Sequence, residues 1–169
     1  MLDADGLVRP ANDGLVVVGL TAQEISDLCI VRETLEGLAT RLAATTRSEI
    51  DVMTLERLLA LCQEAAAVGD LSRASALSHA FHETIWQSTG NEFLARELRE
   101  LKQRVDRNQA STLMAPGRVE EALEEHRQLF MAIRDRNAQL AQAVAESHFR
   151  KAMAIRLADV NASARGRAG

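Results

Sequence analysis

The chain has 169 residues, a formal net charge of −4, 47% hydrophobic residues and 26% charged ones. That is enough apolar material for the core of one globular domain, and the negative balance argues against a surface that holds nucleic acid by electrostatics alone. Only 3% of residues are aromatic, with one Trp and no Tyr, which argues against β-sandwiches and barrels, whose strands lean on aromatic and β-branched side chains.

Residues 1–20 differ from the rest of the chain. Leu7-Val8-Arg9-Pro10 and Leu15-Val16-Val17-Val18 flank Asn12-Asp13-Gly14, a turn signal, and predict a short β-hairpin. From Thr21 the period becomes helical. Thr21-Ala22-Gln23-Glu24 reads as a capping box, and Ile25, Leu28, Arg32, Leu35, Ala39 and Leu42 follow on one stripe. Ser48 is placed to cap a second helix, with Leu55, Leu58, Cys62 and Ala65 inward and Gly69-Asp70 at its end. A third helix is predicted from about Leu71 to Ser88, with Gly90 as its stop. Asn91 caps a fourth, whose stripe is Leu94, Leu98, Leu101, Val105 and Asn108. Pro116 suits the first turn of a fifth, with Val119, Leu123, His126, Phe130 and Ile133 inward. Asn137 opens a sixth, with Ala141, Val144, His148, Ala152 and Ile155 inward.

Short connections are expected to make sequential helices antiparallel neighbours. The fold class is therefore all-α, an antiparallel bundle of about six helices over residues 21–161, preceded by the hairpin. The small, polar tail 162–169 is expected to be disordered. No apolar run approaches the ~18–20 residues of a membrane span. Met1 is followed by Leu-Asp-Ala-Asp, which is not a signal peptide. Cys29 and Cys62 form no CxxC motif, so reduced thiols in the cytoplasm are expected.

The polar exceptions on apolar stripes point to function. His82, His126 and His148 fall on or beside the inward faces of three different helices. Each taken alone reads as a core histidine satisfied by a neighbour. Three in one small bundle raise a second reading, a shared metal site, because neutral imidazole is a common ligand of divalent metals and facing helices are where such sites are built. Three nitrogens suit Zn²⁺ or Ni²⁺ better than Ca²⁺ or Mg²⁺. His79 is expected at the surface. Ser78 aligns better with His82, at spacing four. His82-Glu83 is no zincin motif, since position 86 is Trp86. Arg32 interrupts the first stripe. It is either a structural ion pair with Glu36 or a guanidinium poised for a ligand carboxylate. Arg104 and Asn108 repeat that case in weaker form as effector contacts. Glu120-Glu121 and Glu124-Glu125 read as a solvated helix face.

Val31-Arg32-Glu33-x-Leu35-Glu36-Gly37-Leu38-Ala39, then Phe81-His82, Ser88-Thr89-Gly90-Asn91, Glu125-His126 and His148, resemble the ligand-binding (FCD) domain of FadR-type regulators in the GntR family. The resemblance covers essentially the whole chain. It implies an all-α, homodimeric effector sensor in which an Asp and three His hold a divalent metal near a small carboxylate. By position the three histidines are His82, His126 and His148. The Asp position is Ser78, a departure that removes a charged ligand. Arg32 is the Arg of the first motif. The segment from Asp5 to Leu20 resembles the wing of the family's winged-helix module. The helix-turn-helix that would precede the wing is not in this sequence, so DNA binding is expected only through a module absent from it. Two other readings remain at this stage: a small metal-dependent enzyme using the three histidines, and a dimerisation module with a vestigial metal site.

Overall fold

Reciprocal side-chain caps start the first two helices. Thr21 Oγ1 accepts from the Glu24 amide at 3.2 Å, and Glu24 accepts from the Thr21 amide at 2.7 Å. This box opens α1, Ala22–Thr46. Ser48 and Asp51 repeat it and open α2, Glu49–Ala67. Each box satisfies amides that a first helical turn leaves orphaned. Beyond Gly69, Asp70 caps α3, Leu71–Ser88. After Gly90 the Asn91 side chain accepts from the Leu94 amide at 3.1 Å and begins α4, Glu92–Asp106. A 3-10 turn, Thr112–Met114, leads to α5, Arg118–Arg134. Asn137 accepts from the Leu140 amide at the start of α6, Ala138–Gly166.

The computed structural model describes residues 8–11, 14–17, 21–106 and 111–166. Strands β1, Val8–Ala11, and β2, Gly14–Val17, pair antiparallel with Val8 opposite Val17 and Ala11 opposite Gly14. The turn residues Asn12 and Asp13 lie outside the described residues, as does Asn108. Among the described residues no helix is long and apolar enough to cross a membrane. Cys29 and Cys62 are both free and buried.

The all-α class holds, with six helices among the described residues, but the packing departs from the sequence pattern in four places. The first and last helices, α1 and α6, make the most extensive contact, α2 packs mainly on α3, and α1 and α2 do not lie along each other. The short connection between them is a corner. Arg47 holds it, donating to the Arg134 carbonyl at 2.6 Å. Second, the buried line of α1 is Ile25, Cys29, Glu36, Ala39 and Ala43, while Leu28, Leu35 and Leu42 are half-buried. The cause is close approach of α6: a Cβ added to Gly37 would meet Glu146 Cγ at 2.8 Å. Small residues set this contact where size alone favours the leucines. Third, Pro116 precedes α5, because Gly117, at φ 72°, intervenes in the left-handed conformation. Fourth, α6 continues through residue 162 to Gly166. The segment Asn161-Ala162-Ser163-Ala164-Arg165 contains no helix breaker that would end it earlier.

The main core joins α1, α2, α3, α5 and α6 through Leu55, Phe81, Ile85, Leu129, Ile133 and Ala145. A second cluster seats α4 against α1 and α3 through Leu94, Leu98, Ala39 and Trp86. The first cluster matters for function because Phe81 lies against two inward histidines, His82 and His126.

Candidate metal centre and anion cavity

Three helices each contribute one histidine to the centre of the bundle. His82 follows the core residue Phe81 on α3, His126 precedes Leu129 on α5, and His148 lies on α6 next to Phe149. All three are buried, His126 almost completely, at 1% exposure. Their ring centroids lie 5.0, 5.1 and 4.9 Å apart. One ring nitrogen from each falls within 4.8 Å of one from each of the others. His82 Nε2 and His126 Nε2 are 3.1 Å apart. Phe81 stacks on His126 at 5.0 Å and holds that ring in place.

Burial pushes the imidazoles of His82 and His126 well below their ordinary pKa, and each is pushed further by its histidine neighbours. Burial lowers His148 too, with the Glu125 carboxylate opposing it. The cluster is therefore neutral at neutral pH, the form in which imidazole ligates metal. Burial alone would raise the Glu125 carboxyl. Hydrogen bonds from His148, Arg118 and Lys151 instead hold it well below the usual carboxylate range. An ionised carboxylate can only accept, so the 2.6 Å contact with His148 Nδ1 places the proton on Nδ1. The Nε2 lone pair of that ring is then available as a ligand. A carboxylate behind a histidine is the usual outer shell of a metal site. Two nitrogens on a tetrahedral metal with bonds of about 2.0–2.1 Å stand about 3.4 Å apart, close to the 3.1 Å seen between His82 and His126. The residues present fit a divalent metal.

A cavity of about 300 Å³ opens beside His82 and His148. Ser78 lines it, as do Arg32, Lys102, Arg118 and Arg156. Arg32 reaches it from α1: its Nε donates to Glu36 Oε1 at 3.2 Å, and its guanidinium lies 4.8 Å over the Phe149 ring. Glu36 in turn accepts from Trp86 Nε1 at 2.6 Å. Burial raises the Glu36 carboxyl pKa, with Arg32 acting against it. Arg32 thus makes the Glu36 ion pair that the sequence offered and also lines the cavity. Arg104 corrects the sequence expectation: it is exposed and lines none of this cavity. The α4 stripe through Leu98 and Val105 turns it outward. His79 is also corrected. It is half-buried and lines the cavity, and its Nδ1 has no hydrogen-bond partner among the described residues.

The sequence reading missed Glu125, Arg118, Lys102 and Arg156. Glu125 sits in an acidic run, yet it is buried while Glu121 and Glu124 are exposed. The available signal was Arg118 at seven residues before it, two helical turns away on the same face. Arg118 Nη2 donates to Glu125 at 2.6 Å.

The FCD domain model matches residues 27–151. The chain belongs to the FCD domain family. It is 25% identical over 151 residues to the HTH-type transcriptional regulator YdhC of Bacillus subtilis (strain 168), covering 88% of this chain and 67% of that protein. Its fold is similar to that of E. coli McbR/YncC, with a TM-score of 0.79 at 18% identity over 92% of this chain and 79% of that one. Streptococcus agalactiae GntR gives a TM-score of 0.64 at 20% identity, over 87% and 74%. The FCD domain is the regulatory module of GntR-type transcriptional regulators, so this is a regulatory domain and not a catalytic one.

Proposed function

We propose that this FCD domain is the effector sensor of a GntR-type regulator, holding a divalent metal on His82, His126 and His148 and binding a small organic acid beside it. The reading is carried by one observation: three buried, neutral imidazoles converge, and two of them, His82 and His148, line a cavity walled by guanidinium groups. Zn²⁺, or a similar borderline ion such as Ni²⁺, suits three nitrogen donors. Bound there, the metal supplies a Lewis-acidic pole for a carboxylate oxygen. The chain's own residues do the rest. Glu125 fixes the tautomer of His148. Phe81 and Phe149 exclude water from the rings. Arg32 offers N–H donors to a carboxylate. Ser78 is neutral, so the histidine site keeps the full charge of its ion and favours an anion.

Residues 21–161 form the effector unit in this reading, and its last helix, α6, runs on to Gly166. The β1–β2 hairpin within residues 1–20 corresponds to the wing of a DNA-binding module. The regulator acts as a cytoplasmic homodimer and reads operator DNA through a helix-turn-helix that is not in this sequence. The alternative of a vestigial histidine site within a dimerisation module predicts neither metal nor ligand. Elemental analysis of the purified protein and of His126→Ala separates the two. The expected result is about one metal per chain, lost in the variant. Metal content unchanged by His126→Ala would sink the assignment.

A further inference from the structure

The cavity carries more positive charge than its own carboxylates match. Arg32, Lys102, Arg118 and Arg156 line it, against a single lining carboxylate among the described residues, Asp106. Behind the wall, Arg32 pairs with Glu36 and Arg118 with Glu125, but Glu125 is already shared with His148 and Lys151. Asp106 is shared too. Lys102 pairs with its Oδ2, and Arg156 lies 3.2 Å from its Oδ1. Burial pulls the Arg156 guanidinium below its ordinary pKa; Asp106 opposes this, and the like charge of Arg32 adds to it. Arg118 is 2% exposed, and its Nε and Nη1 have no hydrogen-bond partner among the described residues. The exposed Glu121 approaches Nη1 no closer than 3.5 Å. Buried guanidinium donors left unused favour an incoming acceptor.

The cations fall into two groups. Arg118 sits at the start of α5 against His148, with its Nη2 3.3 Å from that ring's Nδ1. Lys102 lies near the end of α4, and Arg156 lies on α6, two turns beyond His148. At 1.5 Å per residue the Cα atoms of His148 and Arg156 are about 12 Å apart along α6. Helical side chains lean toward the N-terminus, so the Arg156 guanidinium is drawn back toward the histidines. The gap that remains suits a chain of a few carbons. Among the described residues Asp106 is the lining carboxylate that pairs with the far group, whereas a monoacid bound at the histidines would leave that group as it is.

We propose that the ligand of this cavity carries two acidic groups on one short chain, the first taken at the histidine end beside Arg32 and Arg118, the second by Lys102 and Arg156. This rests on the anion-sensing reading above and deepens it by naming the ligand class. The acidic groups are two carboxylates, or a carboxylate and a phosphonate or phosphate, since all of these accept from Lys and Arg alike.

Matched acids test the proposal by calorimetry on the full chain, both metal-loaded and chelator-treated. Glutarate and adipate are compared with the monoacids of equal length, valerate and hexanoate, and 3-phosphonopropionate forms a further arm. The diacids should bind about 10- to 100-fold more tightly than the monoacids, the gain from one charge-assisted contact. Lys102→Met and Arg156→Gln should each remove most of that preference, lowering diacid affinity far more than monoacid affinity. The Lys102 side chain is 23% exposed, so its variant retains the fold even where Arg156→Gln does not, and circular dichroism checks both. Equal affinity for diacid and monoacid overturns the proposal. So does a diacid preference that survives Lys102→Met in a folded protein. Binding that is indifferent to metal counts against the metal site alone, because the Lys102–Arg156 group acts without it. Absence of binding by every acid in both forms overturns the anion-sensing reading and this inference together.

Discussion

Glu125→Gln tests how the metal centre is held without touching a proposed ligand. The carboxylate accepts from His148 Nδ1 at 2.6 Å, from Arg118 at 2.6 Å and from Lys151 at 2.7 Å. A glutamine has one oxygen and one amide nitrogen in its place. Oε2 accepts from both His148 and Arg118, and Oε1 from Lys151, so a glutamine that keeps its oxygen on Lys151 turns its amide nitrogen on His148 Nδ1 and donates to it. The ring proton then moves to Nε2 and removes the lone pair that would bind metal. Loss of such an orienting partner costs about 10- to 100-fold in metal affinity, roughly 1.4–2.7 kcal/mol. Folding is affected separately. Arg118 is almost wholly buried and shares Oε2 with His148, so in that orientation it loses its charged acceptor, which costs about 1.5–3 kcal/mol. The two effects separate experimentally. Competition with a chromophoric chelator gives the metal affinity, and urea unfolding in excess chelator gives the stability of the metal-free protein. A folded Glu125→Gln protein that binds Zn²⁺ as tightly as the wild type would refute the role assigned to Glu125 and the tautomer of His148.

Ser78→Asp should tighten metal binding by about tenfold or more, roughly 1.4 kcal/mol, because it restores an anionic ligand one turn before His82 on the cavity wall. Chelator competition measures it, and an unchanged affinity would mean that position 78 does not face the ion. Gly37→Ala should destabilise the fold by about 1–3 kcal/mol through overpacking, since its new Cβ would meet Glu146 Cγ and Oε1, both at 2.8 Å. Urea unfolding reads this out, and wild-type stability would show that Glu146 swings clear.

Local physics was legible in the sequence where it acts over a few residues. The Thr21 box, the Ser48 and Asn91 caps and the Asn137 start all stand where polar side chains precede periodic runs. The three histidines were legible for a different reason: each breaks an apolar pattern, so its burial needs a cause. What escaped was set by distant packing. Within one helical turn nothing distinguishes Glu125 from Glu124, and Arg118 two turns back, with His148 and Lys151 arriving from α6, buries the first and leaves the second in water. The rotated face of α1 has the same origin, because Gly37 matters only once Glu146 lies on it. Arg104 looked inward by extrapolating a stripe. The cavity instead takes Lys102 and Asp106, on either side of it in sequence.

Arg32 shows why a structural role and a binding role need not compete. Its Nε is engaged by Glu36, but a guanidinium carries five N–H donors in a fixed plane. Holding one edge on Glu36 orients the other donors, which lowers the entropy lost when a ligand carboxylate arrives. The pair also explains the burial of Glu36. That carboxylate is wholly enclosed, and it survives there because Arg32 and the Trp86 indole both donate to it. Trp86 packs with Leu94 and Leu98 of α4, so the far end of this relay rests on the helix that carries Lys102 and Asp106. A ligand that engages Arg32 at one end and Lys102 at the other therefore touches both ends of one connected set of side chains. With such a ligand bound, α4 would be held by both the ligand and the relay, whereas a monoacid at the histidines would engage only the first end.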